Sequence, residues 1–449
     1  MKQYCEMAAV PTEWLYALPA HWDYKKIGSL FSERKTKVSD KDYAPLSVAK
    51  IGVVPQLETA VKTDAGDNRK LVCAGDFVIN SRSDRKGSCG VADRDGSVSL
   101  INIVLTPRNE WNGRYVHYLM RSQPFSEEYY RYGRGIVSDL WTTRFSEMKS
   151  ILLPLPPRPE QDQIVRFLDW KVSSINRLIS IKRKQIASLH ERQRVYISHI
   201  VTHGLHNNVS TKNSGVEWIG DIPEHWQTMR CKYLFSERDE RSQEGQEQHL
   251  SMSQKYGLVP DNQLDERRML SESYAGGKVC YKDDLVLNRL KAHLGVFALS
   301  PQSGVISPDY TVLIPNTERV LPAFAETVLK SDRCRGELRI RVRGIIEGFW
   351  RLYTDDFNTI VLPIPPIEEQ AEIMEYIIEF RGKTKKYEDS LTQEISTLQE
   401  FKARLISDVV TGKIDVRGIE IPECEFVEET VDTGNDESME GMEGETYEE

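Results

Sequence analysis

From Glu160 to His203 no proline or glycine interrupts the chain, and apolar residues return at seven-residue steps. Leu168, Ile175, Leu189 and Tyr196 form one row, with Val172, Ile179, Ile186 and Ile200 beside it. A second stretch repeats the pattern with Ile377, Leu391, Leu398 and Leu405, flanked by Ile395 and Val409. A sustained heptad predicts long helices that pair as a coiled coil. Polar residues on the seam (Lys182, Gln193, Arg381, Thr384, Glu388) make that pairing imperfect. The alternative is a long helix packed on its own domain. The regions between are different in kind. Short β-like runs (Leu71–Asn80, Val98–Thr106, Ile151–Leu155; Leu285–Asn288, Tyr310–Ile314, Thr359–Pro363) alternate with turns rich in Gly, Asp and Ser, which reads as α+β.

Each β-rich region passes into its helix through nearly the same sequence: "ILLPLPPRPEQ" from Ile151 and "IVLPIPPIEEQ" from Ile360. The prolines end a strand and suit a helix entry, where a missing N–H costs little. Glu160-Gln161 and Glu369-Gln370 place acidic and polar groups in the first turn, favourable against the helix dipole. The correspondence extends further. Glu13-Trp14, Pro19 and His21-Trp22 match Glu217-Trp218, Pro223 and His225-Trp226, and "LFSER" occurs at 30–34 and 234–238. "GDFVIN" (75–80) resembles "DDLVLN" (283–288), "RGI" recurs at 134–136 and 343–345, Trp141 matches Trp350, and "ISHIVTHG" (197–204) resembles "ISDVVTGK" (406–413). This is a tandem duplication with a period of about 205 residues, far longer than a solenoid repeat. Trp141 and Trp350 are expected to be core anchors. Trp14, Trp22, Trp218 and Trp226 are expected in cores or interfaces.

The net charge of −9 conceals an asymmetry. Thirteen Asp/Glu and no Lys or Arg lie between Ile419 and Glu449, so without them residues 1–418 carry +4. The acidic end reads as a disordered tail, and the mildly basic body permits nucleic-acid binding. Seven scattered cysteines without a CxxC pair argue against a disulfide framework. No stretch of 18 apolar residues predicts a membrane span, and the N-terminus lacks a signal peptide's apolar core. The expected location is cytoplasmic.

The order domain–helix–domain–helix, with "EWIGDIPEHW" (217–226) and "LPIPPIEEQ" (362–370), resembles the specificity (S) subunit of type I restriction–modification enzymes. The resemblance covers residues 12 to about 415, with a mild departure at "EWLYALPAHW" (13–22). It implies an α+β fold: two target recognition domains (1–157 and 206–366) alternating with two helices (158–205 and 367–415), followed by the acidic tail (416–449). The helices would pair as an antiparallel coiled coil, giving a pseudo-twofold tandem repeat. Their seam would be Leu168, Val172, Ile175, Ile179, Ile186 and Leu189 against Ile377, Leu391, Ile395, Leu398 and Leu405. Each domain would read half of a bipartite site in double-stranded DNA, asymmetric because the domains differ. The helices would set the spacer and dock two methyltransferase (M) subunits. The S subunit would catalyse nothing and hold no cofactor. S-adenosylmethionine, ATP and Mg2+ would be used by the M subunits and by motor-nuclease (R) subunits.

DNA contact needs cations for phosphates and Arg, Asn, Gln or Ser at base edges. The first domain offers Ser81, Arg82, Arg85 and Lys86 in a loop after a strand, then Arg131, Arg134 and Arg144. The second offers Asn288, Arg289 and Lys291 at the matching place, then Arg341, Arg343 and Arg351. The alternative for any one of them is an arginine that merely solvates the surface or pairs with a neighbouring acid. Catalytic readings are weaker. "GKT" at 382–384 lacks the upstream glycine of a phosphate-binding loop. Asp139, Glu147 and Lys149 suggest a metal nuclease, but Asn358 stands where the second copy should repeat Lys149. His199, His203 and His206 have helical metal-ligand spacing, but their counterparts in the second copy, Asp408, Gly412 and Asp415, are not ligands as a set. The rivals are a scaffold without sequence specificity and a self-sufficient nuclease or methyltransferase.

Overall fold

The computed structural model describes residues 2–56, 66–82, 85–108, 111–135, 141–206, 208–254, 256–263, 274–344 and 350–427. Ile136, Asp139, Ile345 and the acidic stretch beyond Val427 lie outside them. The chain divides into two compact units: Met1–Arg183 with Thr392–Glu449, and Lys184–Leu391. Two long helices, Arg158–His203 and Ile367–Val410, each contribute to both units.

In the first unit a four-stranded antiparallel sheet runs in the order Cys89–Val91, Phe77–Asn80, Asn102–Pro107, Phe31–Glu33. Leu71–Asn80 is not one strand. It breaks at Gly75, whose φ of +90° suits glycine, into Arg69–Val72 and Phe77–Asn80. Val98–Thr106 breaks likewise, because Asn102 N–H turns back to the Ser99 carbonyl. One sheet face and the helix Gly113–Arg121 bury Phe77, Ile79, Leu105, Tyr115 and Leu119. Ile164, Phe167 and Leu168 of the first long helix join the same core. Each large side chain so buried stabilises by roughly 1.5–3 kcal/mol.

The second unit repeats the strand order with Phe297–Leu299, Leu285–Asn288, Tyr310–Pro315 and Phe235–Arg238. Its core gathers Leu285, Leu287, Phe297, Phe324, Val328 and Phe357 with Ile373 and Ile377 of the second long helix.

Both helix entries are pinned by the Glu-Gln pair. Gln161 Nε2 donates to the Pro156 carbonyl (2.9 Å), and its Oε1 accepts from Asn112 N–H (3.1 Å). Gln370 Nε2 donates to the Pro365 carbonyl (2.9 Å), and its Oε1 accepts from Leu321 N–H (2.8 Å). Glu160 accepts from Tyr4 Oη (2.6 Å) and lies 2.8 Å from His21 Nε2. Glu369 accepts from Trp226 Nε1 (3.0 Å) and lies 2.8 Å from His225 Nε2. These groups do more than complement a dipole: they fasten strand, following helix and long helix together.

Within the first unit the long helices meet at Asn176–Lys402 (3.1 Å) and in the Lys182–Glu394 ion pair. Within the second they meet at His190–Glu388 (3.3 Å) and Tyr196–Tyr376 (3.1 Å between hydroxyls). In each unit residue numbers rise along one helix as they fall along the other. Leu168, Val172, Ile175, Ile179, Ile377, Leu391 and Leu405 are buried, and Ile186, Leu189, Ile395 and Leu398 are half-buried. Tyr196 is exposed on this face.

The tail begins later than the sequence suggests. Residues 416–427 lie against the first long helix. Gln163 Nε2 donates to the carbonyls of Val416 (3.1 Å) and Ile419 (2.9 Å). Val427 N–H donates to Ser173 Oγ (2.9 Å), and Arg114 covers the Phe426 ring at 4.0 Å. Ile419, Ile421 and Phe426 supply apolar anchors that a count of charges overlooks.

One buried group makes the first unit sensitive to acid. Burial, then the charges of Arg121 and Arg114, pushes His117 down to about 3 from its ordinary 6.5. The folded state thus refuses a proton that the unfolded chain accepts below pH 6.5. Stability is full above that pH and falls as pH drops toward 3. The expected loss is about 2 kcal/mol between pH 7 and pH 5, as 1.36 kcal/mol per pH unit requires. Urea midpoints at the two pH values, for the wild type and His117→Gln, check it. Equal pH dependence in both would refute the assignment.

Candidate nucleic-acid interface

In the first unit three backbone segments meet at the end of the strand Phe77–Asn80. Arg134 and Thr142 exchange backbone hydrogen bonds (Arg134 N–H to Thr142 O, 3.2 Å; the return, 3.0 Å). Thr142 also bridges to Arg82, and Thr143 N–H donates to the Ser81 carbonyl (2.9 Å). The loop starting at Ser81 and the Arg134 turn are thereby drawn to one place, with exposed Arg144 next in chain. Asn80 sets the loop's course, its Oδ1 accepting from Arg82 N–H (3.1 Å).

The second unit builds the same arrangement. Arg343 and Arg351 exchange backbone hydrogen bonds (2.9 and 2.8 Å), and Leu352 N–H donates to the Arg289 carbonyl (3.0 Å). Asn288 Oδ1 accepts from Leu290 N–H (3.1 Å) as Asn80 does from Arg82. Arg289, Arg343 and Arg351 are thus gathered, and Arg343 also pairs with Asp356.

Several sequence candidates have other work. Ser81 is buried and its hydroxyl donates to the Ile101 carbonyl (2.6 Å). Arg131 binds Glu128 through two nitrogens (2.8 and 2.9 Å) and Glu13 through a third (2.9 Å). Arg341 is held by Glu337 and by Thr359 Oγ1 (3.1 Å). The Asn288 side chain is spent on its own turn. Arg85, Lys86 and Lys291 are exposed on the loops, Lys86 reaching 5.8 Å from the Tyr130 ring centre.

Trp141 and Trp350 correct an expectation. Neither is a core anchor: each is 39% exposed, directly before the residue that carries the backbone pairing. Thr143 and Leu352, two positions on, are the residues of these segments that are buried. Of the other tryptophans, Trp22 and Trp226 are buried, and Trp14 and Trp218 pack against the cores.

Several of the described residues weighed for catalysis have structural partners. Glu147 caps a short helix, its Oε2 accepting from Arg144 N–H (2.7 Å). Burial opposes its ionisation, but bonds from Ser146 and Arg144 prevail and hold its carboxyl below the usual range. "GKT" lies inside the helix Ile367–Val410, with Thr384 Oγ1 donating to the Phe380 carbonyl (2.9 Å). His199 and His203 stack on each other at 4.4 Å. Among the described residues no three His, Cys, Asp or Glu side chains gather as a metal site, and no helix is long and apolar enough to cross a membrane.

A protein of Methanocaldococcus jannaschii, provisionally named a type I restriction enzyme MjaX specificity subunit, is 23% identical over 423 residues, covering 89% of this chain and 90% of its own. The same organism's type I restriction enzyme MjaVIII specificity subunit is 22% identical over 292 residues, covering 60% of this chain and 64% of its own. The chain is a homologue of type I restriction enzyme specificity subunits. No protein-family model matches it. A solved structure from work on complex assembly and conformational transition of the type I restriction–modification system shares the specificity-subunit homologue's fold at a TM-score of 0.60. It is 12% identical and covers 90% of this chain and all of its own.

Sequence reading missed a further pair in each unit of this specificity-subunit homologue, at the start of the strand that leads to the basic loop. Arg34 Nε and a terminal nitrogen bind Asp76 (2.8 and 3.1 Å), and Asp76 Oδ2 accepts from Cys73 N–H (2.9 Å). Arg238 binds Asp284 in the same way (2.9 and 3.3 Å), with Tyr281 N–H on Asp284 Oδ2 (2.8 Å). The signal was present in "LFSER" and in the acid preceding each strand. What hid it was the distance in sequence between the partners.

Proposed function

We propose that this chain is the DNA sequence-recognition subunit of a type I restriction–modification complex. The observation that carries the reading is the end-to-end similarity to a specificity subunit, covering about nine-tenths of both chains. The matching basic knots support it physically: each unit presents arginines on a rigid backbone crossing at a sheet end. Each recognition domain reads one half of a bipartite, asymmetric site, with guanidiniums on phosphates and base edges.

The long helices pair as an antiparallel coiled coil and set the spacer. Their 46 and 44 residues correspond to about 65–70 Å at 1.5 Å per residue. The same helices dock two methyltransferase subunits. Leu178, Ile181, Val195, Ile378, Tyr387 and Phe401 stand exposed on them, more apolar surface than a solvated helix needs. The chain itself is non-catalytic and works in the cytoplasm. Adenine methylation with S-adenosylmethionine belongs to the M subunits, and ATP- and Mg2+-dependent translocation and cleavage to the R subunits.

The test is the adenine-methylation pattern of the source genome with and without this gene. The expected result is loss of one bipartite, asymmetric methylated motif. An unchanged pattern, together with no motif enriched by the purified chain from a randomised duplex pool, would leave a scaffold without readout. Salt dependence gives the same distinction, since specific binding persists where phosphate-driven binding is lost.

A further inference from the structure

We infer that Trp141 and Trp350 are the apolar DNA-contact residues of the two basic faces, one for each half-site. This rests on the function proposed above and adds the residues that press into the duplex rather than onto its phosphates.

Position is the first argument. Trp141 precedes Thr142, the residue that pairs with Arg134 and bridges to Arg82. Trp350 precedes Arg351, which pairs with Arg343. Both indoles therefore stand among cations on a backbone held from two sides. Two nearby acids are engaged elsewhere: Glu147 caps its helix, and Asp356 is buried and paired with Arg343.

Exposure is the second argument. A tryptophan carries a large apolar area and is highly buried on average. Here two are left out at equivalent places, while the residues two positions later are buried. Both are anchored at their base. A Cβ added at Gly133 would lie 3.4 Å from Trp141 Cβ, so the chain closes tightly beneath that residue. The Trp350 ring meets His293 edge-on, 6.0 Å between centres. In the second unit Leu294, Ile340 and Tyr353 are exposed as well.

Chemistry is the third. Guanidiniums supply charge, but charge alone binds every sequence equally. An indole held among them gives a flat apolar face for sugars, thymine methyls or an unstacked base, without a phosphate contact.

The experiment uses the full chain and the duplex it enriches from a randomised pool of about 40 base pairs. Trp141→Ala and Trp350→Ala are each expected to weaken binding about 10- to 100-fold at every salt concentration. The slope of log affinity against log salt stays as in the wild type, and sequence preference relaxes in one half-site only, a different one for each variant. Trp→Phe at either place restores most of the affinity. Arg134→Ala, by contrast, reduces the salt slope by about 1. An unchanged slope for weak, non-specific binding shows that the Ala variants are folded. If the wild type enriches a motif and both Ala variants bind it equally well, the inference is overturned alone. It is also overturned if they keep DNA affinity but lose a co-expressed methyltransferase subunit, since the tryptophans would then be a protein-docking surface. If the wild type enriches no motif, the proposed function falls and takes the inference with it.

Discussion

Replacing Asp76 with alanine is expected to cost the first unit about 1–3 kcal/mol, the range for leaving buried hydrogen-bonding groups without a partner. Asp76 is 2% exposed and holds three donors: two nitrogens of Arg34 and the Cys73 N–H. Alanine leaves a half-buried guanidinium and an amide without their acceptor, and an abandoned partner costs more than the bond contributed. A guanidinium is not deprotonated in proteins, so Arg34 cannot shed its charge to escape. Asp284→Ala is expected to do the same to the second unit, where Arg238 and Tyr281 N–H lose their acceptor. Asp93→Ala is the control: its partner Arg94 is equally close at 2.9 Å but lies in solvent, so no measurable change is expected. Urea unfolding of the three variants decides the matter. Equal effects at Asp76 and Asp93 would mean that geometry in place of burial sets the cost.

The two Asp residues also mark how far the sequence could be read. The long helices were legible because a seven-residue period and the absence of Pro and Gly are local signals. The strand order was not legible, since pairing between Phe31–Glu33 and Asn102–Pro107 spans some seventy residues with no mark in either. Repetition helped more than any motif. It showed that positions 81–82 and 289 do equivalent work, and the structure places both beside the segment that follows a tryptophan. It misled at Trp141 and Trp350, where aromatic character was read as burial. The tail was misread for a related reason: thirteen acids outweighed Ile419, Ile421 and Phe426 in a composition count, yet three apolar side chains suffice to hold a short segment. Arg131 and Arg341 are paired with acids, Glu128 and Glu337, that sit three and four residues away on the same helices. That signal was in the sequence and followed a known helix spacing.

Deleting one facing heptad from each long helix is expected to abolish recognition of the native site. Lys184–His190 and Tyr387–Gln393 lie opposite each other by the numbering of the His190–Glu388 and Lys182–Glu394 contacts. Seven residues make two turns at 3.5 residues per turn, so a coiled-coil seam stays in phase across the cut. Each helix shortens by about 10.5 Å. In length this matches a spacer roughly three base pairs shorter, at 3.4 Å per step. Rotation does not follow: three base pairs turn the far half-site by about 100° around the duplex at roughly 10.5 base pairs per turn. One domain would then face the wrong side of the DNA. Affinity for the native bipartite site is expected to fall about a hundredfold or more, toward non-specific binding, since only one half-site is still engaged. Genome methylation at the native motif is expected to disappear, and no shortened motif should replace it. The seam residues lost, Ile186, Leu189 and Leu391, are buried or half-buried, so the thermal transition must be measured alongside to show that the remainder still folds. If the folded variant still methylates the native motif at its original spacing, the helices do not set the spacer.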